Sequence, residues 1–186
     1  MYKRLFTWLA VVGICLALPA QSKLHMKTSD TPKALVTYFS ATGNTARAAR
    51  LIAAATGADL YEIRPAQTYT EKDLDWHDAH SRSSVEMKDP KARPAIQTPK
   101  ADVEAYDVIF IGYPIWWDLA PRVINTFIES HNLKGKTVVP FATSGSSSIT
   151  NSAATLKKDY PDLNWKAGKL LNRATEKTVS EWVENL

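Results

Sequence analysis

Three observations predict an α/β domain of three layers, a parallel sheet covered by helices on both faces. Short apolar runs alternate with longer helix-periodic segments after Pro32. Two of those runs, VIFIGY from Val108 and VVPFA from Val138, are almost unbroken, as strands buried on both faces require. The first run opens into a loop of small hydroxyl, amide and glycine residues, SATGNT from Ser40, which leads directly into a helical pattern.

Taken in order, the apolar runs predict strands at Ala34–Phe39, Asp59–Ile63, Val108–Tyr113, Thr137–Ala142 and Asn164–Leu171. Helices are expected at Thr45–Thr56, Glu71–Met87, Pro121–Ser130, Asn151–Tyr160 and Thr175–Asn185. Asn44, Thr70 and either Ser148 or Thr150 are the cap candidates for the first, second and fourth. Pro121 suits the first turn of the third, where no amide hydrogen is missed. Between Arg64 and Lys100 the pattern is irregular and broken by prolines, which predicts a helix followed by a long surface excursion.

Ahead of this domain, Lys3 and Arg4 precede an apolar stretch from Leu5 to Leu18 that ends in Pro19-Ala20. A basic start, a short apolar core and a small residue at the exit describe an export signal over residues 1–20, with 21–32 a polar lead-in to a domain at 33–186. The stretch is shorter than the ~20 residues that span a bilayer as a helix. The mature chain is therefore expected outside the cytoplasm, in the periplasm, with no stable membrane span. Cys15 is the single cysteine of the 186 residues, so the mature domain holds no thiol for a disulfide, a nucleophile or a metal. Without Lys3 and Arg4 the chain carries 21 basic residues against 19 acidic, a balance that gives no footprint for nucleic acid.

In a parallel sheet, ligands sit beyond the carboxyl ends of the strands, where the strand order reverses. The SATGNT loop would present free amide hydrogens and the positive end of a helix dipole there. Gly43 allows a close backbone approach, while Ser40, Thr42, Asn44 and Thr45 add neutral donors, a set suited to one terminal phosphate. A P-loop would end in Gly-Lys-Ser/Thr, and a Rossmann fingerprint would read G-x-G-x-x-G; the chain has neither. After the third strand, Pro114-Ile115-Trp116-Trp117 offers an aromatic face to a flat ring. After the fourth, Thr143-Ser144-Gly145-Ser146 offers hydroxyls and an approachable backbone to a heterocycle edge. A phosphate cradle, an aromatic wall and a hydrogen-bonding edge together describe flavin mononucleotide (FMN).

These three loops resemble those of the flavodoxin-like family. SATGNT is similar to that family's FMN phosphate loop, and IGYPIWWDLAP and FATSGSSSI resemble its two ring-binding loops in a subgroup of the bacterial type. The resemblance implies a flavodoxin-like three-layer sandwich, a five-stranded parallel sheet of order 2-1-3-4-5, and bound FMN. It implies that Ser40, Thr42, Gly43, Asn44 and Thr45 hold the phosphate, that Pro114, Ile115, Trp116 and Trp117 border the ring, and that Thr143, Ser144, Gly145 and Ser146 meet its pyrimidine edge. Tyr69 is a further candidate for the ring's other face. His77 and His80, three apart on the expected second helix, form a weaker candidate metal pair. No serine among positions 144 to 148 has a histidine–acid pair recognisable in sequence, which leaves hydrolase chemistry unsupported.

Two roles follow. One is a two-electron flavin reductase that takes hydride from NAD(P)H and passes it to a quinone-like acceptor; the other is an electron carrier that docks redox partner proteins. The segment from Tyr113 to Pro121 contains no glycine, so a peptide flip to positive φ beside the ring would fall on Asp118 at a cost. That favours the reductase.

Overall fold

The computed structural model describes residues 32–97 and 100–186; the expected signal segment 1–20 and the lead-in as far as Thr31 lie outside the described residues. Strand β1 spans Ala34–Tyr38, β2 Asp59–Glu62, β3 Val108–Pro114 and β4 Thr137–Thr143. Successive side chains on a strand point to opposite faces. Leu35, Ile109, Ile111 and Val138 accordingly enter one buried cluster, while Val36, Phe110, Val139 and Phe141 enter a second. Two dry faces explain why these runs carry almost no polar alternation. Thr37 is tolerated between them because its hydroxyl donates to the Phe110 carbonyl at 2.7 Å.

The strands pair in parallel in the order β2-β1-β3-β4 with a fifth position beyond β4, so the chain changes direction across the sheet between β1 and β3. The fifth position is not one strand from Asn164 to Leu171. It holds β5, Asn164–Trp165, and β6, Lys169–Leu170, both paired with β4. Pro140 is the reason. The carbonyls of Val138 and Ala142 accept on this side from Lys166 and Leu171, at 2.9 and 2.8 Å. Pro140, midway between them, faces the same neighbour and has no N–H to give.

Helix α1 runs Asn44–Thr56, α2 Arg82–Lys88, α3 Arg122–Ser130, α4 Thr150–Asp159 and α5 Glu176–Val183. Ala48 and Ile52 of α1 and Val179 of α5 cover the Val36 face; Val123, Ile124 and Phe127 of α3 and Leu156 of α4 cover the other. The helix expected at Glu71–Met87 is instead a 3-10 turn at Lys72–Leu74 followed by the short α2. Asp75 and Asp78 end the first piece by accepting the amides of His77 and His80 at 3.0 and 2.8 Å. Such local side-chain bonds compete with a helix. Thr70 is not the cap expected of it: Glu71 stands at the N-cap of the 3-10 turn, and the Thr70 hydroxyl, one residue earlier, accepts the Asp73 amide at 3.2 Å.

The cap of α1 is Gly43 rather than Asn44, Pro121 stands at the N-cap of α3 rather than inside it, and Ile149 occupies the N-cap of α4. Thr175 caps α5 in a reciprocal box with Thr178. The excursion after β2 is closed at its base, where Ala66 donates to Ala95 at 2.7 Å and Gln97 to Arg64 at 2.8 Å. Among the described residues no helix is long and apolar enough to cross a membrane.

Candidate functional site

Because β1, β3 and β4 run parallel, the loops that follow them emerge at one edge of the sheet. Pairing continues into the mouth, where the Ile115 amide donates to the Thr143 carbonyl at 2.8 Å. Two confluent clefts open there. The first, about 400 Å³, is bordered by Thr42, Asn44, Thr143, Asn172 and Arg173. The second, about 530 Å³, is bordered by Leu74, Trp76, Trp117, Asp118 and Ser146. Thr42, Pro114, Ile115, Trp116, Ser144 and Gly145 line both. The structure thus brings residues from all three predicted loops to one place.

The loop after β1 is bent by Gly43 at φ 87°, a left-handed conformation costing a residue with a Cβ ~1–2 kcal/mol. A Cβ there would meet nothing within 4 Å, so the demand for glycine is torsional. The Ser40 hydroxyl accepts the amides of Gly43 and Ala46 at 3.1 and 3.2 Å and so shapes the bend. The amides of Thr42, Asn44 and Thr45 donate to no protein acceptor among the described residues. No acidic residue stands in the first turn of α1, so its positive end is uncompensated. Thr45 lies deeper than Thr42 and Asn44. Its side chain is buried and meets the Thr143 hydroxyl at 2.8 Å, which makes the pair a strut between two loops.

In the loop after β3, Trp117 and Asp118 both have positive φ, 45° and 62°. Trp116 and Leu119 exchange backbone bonds of 3.0 and 2.9 Å around them. This is the signature of a type I′ hairpin turn, normally built from asparagine and glycine. Positive φ falls on Asp118, the residue expected to bear it, and on Trp117 beside it, and the turn is held in that conformation. The Asn151 side chain pins it by donating to the Asp118 carbonyl at 3.2 Å.

The turn separates the two tryptophans. Trp117 stays 46% exposed, whereas Trp116 points inward, edge-on to Phe39 and Tyr69 at 5.5 and 5.2 Å between ring centroids. Tyr69 itself lies behind Trp116 and lines neither cleft. Its hydroxyl donates to Glu86, whose other oxygen accepts from Arg82 at 2.6 Å, and the Arg82 guanidinium lies 4.0 Å from the Tyr69 ring centre. Burial, then the bond to the carboxylate, raises the Tyr69 phenol well above its usual range. Tyr69 is a support for the aromatic wall.

The loop after β4 contributes small groups only. Ser144 donates its amide to the Asn172 side chain at 2.7 Å, and its hydroxyl accepts the amides of Ser146 and Ser147 at 3.2 and 2.8 Å. Sequence reasoning missed Trp76, Asn172 and Arg173. Trp76 is 66% exposed, stacks on His77 with centroids 3.5 Å apart and lines the second cleft; its signal was hidden in a segment read as a helix face. His77 and His80 stand in turns, so the helical spacing that paired them does not exist. Asn172 and Arg173 follow the broken fifth strand and carry no local motif.

A family model described as Flavodoxin matches residues 33–186. Among solved structures, a candidate flavoprotein from Bacteroides eggerthii is 68% identical, with 83% of this chain and 97% of that one covered at a TM-score of 0.81. Another from Bacteroides uniformis is 59% identical, with 82% and 98% covered and a TM-score of 0.81. A flavoprotein from Lactobacillus acidophilus NCFM, solved in complex with FMN, is 24% identical, with 82% and 99% covered at a TM-score of 0.64; that likeness is one of fold. No curated protein matches the chain. Strand order, the bent loop at the switch point and the family match over residues 33–186 converge, and the chain belongs to the flavodoxin family.

Proposed function

We propose that the clefts hold FMN and that the protein is a two-electron reductase, carrying hydride from NAD(P)H to a quinone-like acceptor. The residues fit the cofactor. Gly43 and the free amides of Thr42, Asn44 and Thr45 suit a terminal phosphate, Trp116 and Trp117 suit a flat ring, and the hydroxyls and backbone of Ser144–Ser146 suit a polar heterocycle edge. The FMN bound by the Lactobacillus flavoprotein of the same fold supports that reading. Bound flavin supplies the hydride chemistry; the protein positions its partners and excludes water.

The observation that carries the reductase over the carrier is the lining of the second cleft. Trp76, Trp116 and Trp117 line the second cleft together with Ser144, Gly145, Ser146 and Ser147, none of which carries more than a hydroxymethyl group. A carrier needs no room beside its ring, but hydride transfer needs the donor's ring laid flat against it, within near-contact distance. A cleft of about 530 Å³ supports such room, and Trp76 and Trp117 offer exposed aromatic surface for a planar acceptor. FMN-loaded protein mixed anaerobically with NADH or NADPH should lose its yellow absorbance and regain it on adding a quinone. Absorbance unchanged by both nucleotides, with reduction only by a redox protein, would give the carrier role precedence.

A further inference from the structure

We propose that Arg173 is a cationic ligand to the phosphate monoester of the flavin, an inference that rests on the FMN reading above. A phosphate monoester carries a charge of about −1.5 to −2 near neutral pH. The end of α1 offers roughly +0.5, and Ser40, Thr42 and Asn44 are neutral. Most of the phosphate charge is left without a counter-charge by the loop itself.

The loop after β6 supplies one. Arg47, one turn into α1, donates to the carbonyls of Asn172 and Ala174 at 2.8 and 3.0 Å, gripping the residues on either side of Arg173. Asn172 is held a second time, by the Ser144 amide on its side-chain oxygen at 2.7 Å. Arg47 is thus committed to positioning, and Arg173 is the residue it presents. Arg173 lines the first cleft together with Thr42 and Asn44, beside the free amides of the α1 terminus. It is exposed and has no carboxylate or carbonyl partner among the described residues. Its planar fork of donors matches the geometry of phosphate oxygens.

The 2′-phosphate of NADPH has the same chemistry, so the test separates the two. The full chain, wild type or Arg173→Gln, is loaded with FMN or riboflavin, and flavin released on dilution is followed by its fluorescence. Arg173→Gln should weaken FMN retention about tenfold or more, as expected for a lost charge-assisted bond, and leave riboflavin retention unchanged. Added salt should loosen FMN in the wild type more than in the variant, and Arg173→Lys should restore part of the difference. Equal loss of both flavins would place the arginine at the ring or in the fold and overturn the proposal. So would unchanged FMN retention with a KM raised for NADPH but not for NADH. Failure of the wild type to hold FMN at all would instead remove the cofactor reading, which keeps the two ideas distinguishable.

Discussion

Beneath the cleft, the hydroxyls of Thr45 and Thr143 meet at 2.8 Å, shielded from solvent. A threonine in a ligand loop and a threonine in a loop strut have the same chemistry; depth alone separates them. Deeper still, the Tyr113 hydroxyl lies 3.2 Å from that of Ser152, joining β3 to the first turns of α4 under the serine loop. Burial pushes the Tyr113 phenol up to about 12. Below pH ~10, the ordinary phenol value, folded and unfolded chains both keep this proton, and the contribution to stability is intact. Between that value and about 12 only the unfolded chain ionises, so stability falls with rising pH by about 1.4 kcal/mol per unit. Tyr113→Phe should remove this share. Urea melts of the variant should match the wild type near pH 7 to within about 1 kcal/mol and fall less steeply above pH ~10. Parallel alkaline profiles for the two proteins would show that the phenol's burial plays no part.

Among the elements, the hairpin turn from Trp116 to Leu119 stores the clearest strain. Trp117 and Asp118 hold left-handed backbone that would suit glycine, and two backbone bonds with the Asn151 side chain keep them there. Strain of this kind is sustained only where surrounding contacts over-determine it. Here it turns Trp117 out to the cleft while Trp116 seals the core against Phe39 and Tyr69. Asp118→Gly should relieve one of the two strained positions and raise stability by up to ~1 kcal/mol, read as a higher midpoint in thermal melts. A fall in the midpoint would mean that the aspartate is worth more to the turn than its backbone costs.

For the molecule as a whole, two buried clusters on opposite faces of one sheet leave the carboxyl edge of the strands as the place where loops converge. The amino-terminal pattern of Lys3, Arg4 and the apolar run to Leu18 remains a proposal of export, made on sequence alone. Protein recovered from its native cells should begin near Gln21 when its amino terminus is sequenced. An intact Met1 would overturn it.

Sequence by itself determined the layered fold, because apolar runs without alternation can only be satisfied by cover on both faces. It also picked out three loops that the fold brings to one edge of the sheet, the first because a small-residue loop between strand and helix advertises free amides. Tertiary structure decided the rest. Pro140 broke the fifth strand through a donor missing from the neighbouring strand β4, with the whole of α4 between them in sequence. Asp75 and Asp78 ended an apparent helix with bonds that periodicity does not register. Arg173 reached the cleft only because Arg47, 126 positions earlier and bonded across to Asn172 and Ala174, holds its neighbours there. Periodicity reports which face of an element is dry. Which side chains meet across elements depends on packing, and no local pattern carries that.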